Sequence, residues 1–290
     1  MELFVVAALC GIAVGVLSGL LGIGGGVIMV PLFRLVFGMN PIAATATSLF
    51  TIIPTSLSGM AKHVRNKTCV ARVGIVCGLA GACLSPVGVM AAAASPTWLV
   101  MAAAALIIAY SAFTMFKKAF AASKGSKDAK GGKAASSPAS SAAGSSPSVP
   151  ASGASAEKPS YAAPAFTASF VMKVVAIGAI AGFMSGYVGV GGGFIMVPLF
   201  MALLGVPMRL ASGTSLLAVC ILAVPGAIEQ GLLGNIDYLV GIATAAGSIP
   251  GAFLGASLVK RVPERALRFV FAAFLLIAAV VLVANEFGAM

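Results

Sequence analysis

A chain of 290 residues that is 60% hydrophobic and only 9% charged, with a mean hydropathy of +1.09, is too apolar for a soluble globule, in which roughly a quarter of residues are charged. Its net charge of +11 is gathered in a few hydrophilic segments and reads as a membrane-topology signal, not as a nucleic-acid footprint. Several apolar runs reach the ~20 residues that cross a bilayer and lack the alternation of barrel strands, which points to an all-α polytopic membrane protein.

The first apolar segment covers about 3–21. No basic region precedes it, so it reads as a retained segment and not as a cleaved signal peptide. Gly22, Gly24, Gly25 and Gly26 interrupt it, and a shorter apolar piece containing Pro31 follows at about 26–38. Further segments lie near 42–60, 71–93 and 97–116. From 117 to 168 the chain turns to Lys, Ser, Ala, Gly and Pro. That composition buries too little apolar surface to offset chain entropy and is expected to form a disordered basic linker. The second half repeats the scheme: about 169–188, a break at Gly189, Gly191, Gly192 and Gly193, then 193–206 with Pro198, 208–228, 236–258 and 266–285. The organisation is thus a membrane repeat at 1–116, a linker at 117–168 and a second membrane repeat at 169–290.

The two breaks are copies. Residues 11–33 align with 178–200, an offset of 167, with fourteen identities in twenty-three positions and no gap. The same offset pairs Thr47-Ser48-Leu49 with Thr214-Ser215-Leu216, and Gly59, Gly74 and Gly88 with Gly226, Gly241 and Gly255. Basic residues fix the expected orientation: Lys62, Arg65, Lys67 and Arg72, the linker lysines, and Lys260, Arg261, Arg265 and Arg268 mark cytoplasmic connections. The loops at 93–97 and 230–236 carry none and should face outward. Each half then makes an odd number of net crossings, with both termini outside and the linker inside. Two homologous halves of odd crossing number insert in opposite directions. The expected architecture is therefore two inverted-topology repeats, each with a glycine-broken helix pair, crossing or re-entrant, plus three transmembrane helices.

Backbone interrupted by glycines inside a bilayer is tolerated only against protein or a water-lined cavity. A helix restarting after Gly26 or Gly193 offers unpaired N–H groups and the positive end of its dipole, which attract anions. Two such ends would form a compact anion cage, with Ser18, Ser185, Thr47, Ser48, Thr214 and Ser215 as candidate hydroxyl donors; the alternatives are that the small residues serve close helix packing and that the hydroxyls bond back to their own helices. Pro31 and Pro198 read as structural helix breaks. Arg34 and Arg209 read as side chains snorkelling to an interface or, alternatively, as drawing anions to the two mouths. His63, between Lys62 and Arg65, is expected to be a solvated loop residue, and Glu229 and Asp237 to lie at the surface beside the outer loop. Neither a P-loop nor a dinucleotide fingerprint is present. The five cysteines lack metal or redox spacing, and with no cluster of chemistry-bearing residues no enzymatic activity, metal or cofactor is expected.

With Ser-Gly-x-x-Gly-x-Gly-Gly-Gly-x-Ile-Met-Val-Pro and a downstream Thr-Ser-Leu in each half, the chain resembles the TauE/SafE sulfite exporter family of membrane permeases. The resemblance covers both membrane halves, about 3–116 and 169–285. It implies a multi-pass cytoplasmic-membrane permease that exports small anions such as sulfite, sulfoacetate and other organosulfonates. It places the site on the paired glycines, the two prolines and the two Thr-Ser pairs. Uptake of another small organic anion, a channel, or a membrane scaffold acting through the basic linker are the competing readings, and self-association into a homo-oligomer is left open.

Overall fold

A computed structural model of the chain describes residues 2–96, 99, 100, 102, 103, 105–114, 116 and 167–288. The expected linker, up to residue 166, lies outside the described residues. The described chain is helical: α1 (Glu2–Leu21), α2 (Gly26–Phe37), α3 (Pro41–Arg65) and α4 (Ala71–Ala94), then α5 (Ala105–Thr114), then α6 (Ala168–Val188), α7 (Gly193–Leu203), α8 (Met208–Leu232), α9 (Tyr238–Leu258) and α10 (Glu264–Gly288). Six described helices are long and apolar enough to cross a membrane: α1, α3, α4, α6, α8 and α9.

Most ends match local chemistry. Gly38 and Gly205 take left-handed φ values of 62° and 65°, stopping α2 and α7 as glycines after a helix do. Asn40 caps α3 by accepting from the Ala43 N–H at 2.7 Å, with Pro41 as the first helical residue. α3 runs a turn past its expected end near 60, because Lys62, His63 and Arg65 favour the negative end of its dipole.

Pro31 and Pro198 do not break helices. Each lies inside a short helix and is buried there. A proline costs one helical hydrogen bond and a steric push, and within a packed membrane bundle the freed backbone is accommodated by its neighbours. The breaks lie at the glycines alone.

The halves interlock. α1 packs along α9 and α6 along α4; α3 packs on α8 and on α9, and α4 on α8. Under the 167-residue offset α1 on α9 becomes α6 on α4, so the two largest contacts are exchanged between the repeats. Small residues let these helices approach closely. Gly11, Gly15 and Gly19 of α1 face the backbone of Thr244, Ser248 and Ala252 of α9, and Gly178, Gly182 and Gly186 of α6 face Cys77, Gly81 and Ser85 of α4. A Cβ on Gly15 would lie 2.8 Å from Ser248 Cα, and one on Gly186 2.9 Å from the Ser85 carbonyl carbon. This arrangement holds both glycine breaks against the central α3–α8 pair.

Candidate functional site: the paired glycine breaks

The two breaks share one backbone shape. Gly22, Gly24 and Gly25 have φ of 79°, 80° and 90°, and Gly189, Gly191 and Gly192 have 72°, 82° and 63°. Only glycine takes such a run without strain. Gly25 and Gly192 precede α2 and α7 and supply no side-chain cap. The N–H groups of each first turn, with the positive end of each helix, therefore sit at the break, but that of Gly193 is, contrary to expectation, not unpaired: it is bonded to Gly191 O at 2.7 Å.

The breaks meet. A Cβ on Gly193 would lie 2.7 Å from Ile23 O and 2.8 Å from Gly22 O, and one on Gly26 would lie 2.6 Å from the Val190 carbonyl carbon. Ile52 of α3 and Val219 of α8, equivalent under the offset, wedge against them: a Cβ on Gly24 would lie 2.7 Å from Val219 Cγ1, and one on Gly191 2.8 Å from Ile52 Cδ1. The expected cage between two helix starts is thus packed shut and plugged by two aliphatic side chains. Ile52 and Val219 escaped the sequence reading because they are not identical. Their shared position in the repeat was the available signal.

The hydroxyls divide into two sets. Thr47 Oγ1 accepts from Asp237 N at 3.0 Å and Thr214 Oγ1 from Val70 N at 2.9 Å. Each threonine thereby ties down the start of a helix from the other half, α9 or α4. Ser215 donates at 2.7 Å to Gly22 O and lies 2.9 Å from Ser212 O. Ser18, Ser48 and Ser185 are fully buried and their Oγ atoms have no partner. Buried hydroxyls are nearly always hydrogen-bonded, and serines inside helices usually bond back to their own turn. Ser18 stands beside the first break: its Cβ is 3.6 Å from where a Cβ of Gly25 would be. Ser85 and Thr244, on α4 and α9, are buried and unpartnered as well.

Arg34, Arg209 and Asp237 lie at helix ends away from the breaks, whereas His63 reaches the foot of the first. Arg34 is half-buried in the last turn of α2. Arg209 Nη2 donates to Val262 O at 2.7 Å, bracing the start of α8 against the loop before α10. Asp237 caps α9 by accepting from Val240 N at 3.1 Å. His63 is not a solvated loop residue. The extra turn of α3 puts it on the inward face, fully buried, with Nε2 2.9 Å from Gly19 O and Nδ1 2.8 Å from Thr68 Oγ1. A carbonyl only accepts, so Nε2 carries the proton. Its equivalent under the offset is Gln230, whose Oε1 accepts from Asn235 Nδ2 at 2.8 Å, just as Asn235 is the equivalent of Thr68.

Beside the second break opens a cleft of about 140 Å³, lined by residues that include Thr45, Tyr187, Gln230 and Asn235. It reaches the break itself, since a Cβ on Gly189 would lie 2.7 Å from Thr45 Cα. Among the described residues there is no group of three or more His, Cys, Asp or Glu able to hold a metal ion.

The model of the family described as "Sulfite exporter TauE/SafE" matches residues 7–282, spanning both breaks. The chain belongs to the sulfite exporter TauE/SafE family. It is similar over most of its length to "Probable membrane transporter protein YunE" of Bacillus subtilis (strain 168), 24% identical over 272 residues that cover 90% of each chain. It is similar also to "Probable membrane transporter protein YdhB" of the same organism, 26% identical over 255 residues, 88% of this chain and 89% of that one. A shorter stretch of 101 residues, 33% of this chain and 20% of the relative, is 38% identical to "Sulfite exporter TauE/SafE family protein 3" of Arabidopsis thaliana. No solved structure matches. Family and helices together make this TauE/SafE member a multi-pass membrane protein of the transporter class.

Proposed function

We propose that the protein is a secondary transporter that exports small anions, with sulfite, sulfoacetate and other organosulfonates as the substrate class, across the cytoplasmic membrane. The observation that carries this reading is the pair of matched glycine breaks, packed together, with Ser18 and Ser185 on the helices that lead into them and Ser48, the repeat equivalent of the Ser215 that bonds Gly22 O, all three buried and unpartnered. When the breaks part and Ile52 and Val219 withdraw, the three hydroxyls and two uncapped helix starts form a cavity of donors around an anion. Backbone N–H groups and hydroxyls select charge and size, which suits sulfite and sulfonate oxygens. The two repeats insert in opposite directions, the Lys/Arg-bearing loops facing the cytoplasm and the cleft facing outward. An anion leaving a negative-inside cell is electrically favoured, so the potential suffices as a driving force.

The test is flux of sulfite and sulfoacetate from proteoliposomes under an imposed potential, for the native chain and for Gly25→Leu with Gly192→Leu. Saturable flux that is lost in the double variant, with insertion intact, supports the reading. Undiminished flux in that variant removes the breaks from the transport path. Saturable flux of small carboxylates alone would replace the substrate class.

A further inference from the structure

Applied to the cleft, the 167-residue offset finds a second, closed cleft at the other end of the molecule. Ile42, Ser95, Val89, Leu233, Gln230 and Asn235 all line the open cleft. Their equivalents are Arg209, Val262, Ala256, Asn66, His63 and Thr68. Where Ile42 and Ser95 face across open space, Arg209 Nη2 is bonded to Val262 O at 2.7 Å. Where Leu233 and Val89 line the cleft, Asn66 Nδ2 is bonded to Ala256 O at 3.2 Å. Gln230 is held by Asn235 within its own turn, but His63 reaches across to Gly19 O on α1, at the foot of the first break. Thr45 on the cleft keeps only 7% of its surface exposed, and its equivalent Ser212 keeps none. The side chains that make the closing bonds, Arg and Asn, stand where the open end carries Ile and Leu, which cannot form them.

We infer that the two ends are alternating mouths of one path through the glycine breaks. Arg209, Asn66 and His63 form a latch that holds the mouth beside the basic loops shut while the opposite mouth is open. This rests on the transport reading. The latch is one-sided by chemistry: opening the basic end breaks three side-chain hydrogen bonds to backbone carbonyls of other elements, whereas at the open end the equivalents Ile42 and Leu233 have no side-chain donor and Gln230 is held by Asn235 within its own turn. The resting state therefore favours the cleft side open.

The test places single reporters, Thr45→Cys in the open cleft and Ser212→Cys in the closed one, in a chain whose native cysteines are replaced. Labelling rates are then measured with a membrane-impermeant maleimide in vesicles of both orientations. With the latch intact, Thr45→Cys labels and Ser212→Cys does not. Arg209→Gln together with Asn66→Ala is expected to raise Ser212→Cys labelling at least tenfold and to slow Thr45→Cys severalfold. Arg209→Lys, which still offers Val262 O a donor, restores the native pattern. Ile42→Arg, which gives the open end a donor, slows Thr45→Cys without touching the latch. Unchanged rates at both reporters overturn the inference, and so does a joint rise, which reports loosening without alternation. The reporters need no substrate. Reciprocal labelling in a protein that moves no anion would overturn the transport reading and leave the latch standing, whereas anion flux with unresponsive reporters would overturn the latch alone.

Discussion

The two glycine breaks and the two ends of the molecule descend from the same duplication, and they have diverged to different degrees. At the breaks, φ angles, helix starts and the Ile-Met-Val-Pro-Leu-Phe run are shared. At the ends, His63 stands opposite Gln230 and Arg209 opposite Ile42. One end is bonded shut and the other holds a cleft of about 140 Å³. On the proposed transport reading, a substrate that meets both halves requires the centre to stay symmetric. A gate with a preferred resting state requires the ends to differ.

Changes at the breaks should have the largest effect, and in both halves alike. Gly22→Ala and Gly189→Ala each force a side chain into left-handed backbone against Ser212 or Thr45. Strain of about 1–3 kcal/mol with the added collision should lower the thermal midpoint in detergent by similar, large amounts. A large loss in one half only would break the equivalence of the two breaks.

Next come the ends, where the effects should be unequal. His63→Ala leaves Gly19 O without this donor in a buried place, a loss of about 1–3 kcal/mol, while Thr68 keeps the residue-63 carbonyl at 3.2 Å. Gln230→Ala opens onto the cleft and should cost less than half as much. Equal losses in thermal unfolding would contradict the claimed asymmetry.

The hydroxyls should separate by role. Thr47→Val and Thr214→Val each remove the acceptor that holds a helix start and should cost about 1 kcal/mol of stability, with transport per folded molecule retained. Ser18→Ala and Ser185→Ala remove unpartnered hydroxyls, so stability should stay level or rise while transport falls. The reverse pattern would move the site from the serines to the threonines.

The smallest effect concerns Cys69, in the short connection before α4. Burial pushes its thiol up to about 11, partly offset by a hydrogen bond with Thr214. The thiol should resist alkylation at pH 8. Because the unfolded thiol ionises first, near 9.0, its contribution to stability is constant below that pH and falls as pH rises toward 11. Rapid alkylation of Cys69 in the folded protein would show the Thr214 contact to be open.

Helix positions and the interruption at the glycines were legible in the sequence, because apolar length and clustered glycine are local signals. What escaped reading depends on which way a side chain faces. His63 lies between two cations, so it looked solvated, but one extra helical turn carries it inward. Thr47 and Thr214 are read as hydroxyl donors, and no local pattern shows that their oxygens also accept from N–H groups 190 and 144 residues away. The cleft was invisible because it is the space left where the offset pairs Ile with Arg and Leu with Asn.

On the proposed transport reading, Ser18, Ser48 and Ser185 hold the anion between the breaks. The most direct measurement is the concentration dependence of sulfite flux for the native chain and the Ser18→Ala, Ser48→Ala, Ser185→Ala triple variant, with thermal stability recorded for both. Each lost hydrogen bond to an anion is worth about 1.5–3 kcal/mol, so the account predicts a KM raised at least tenfold at unchanged stability. An unchanged KM in a fully folded triple variant would contradict it.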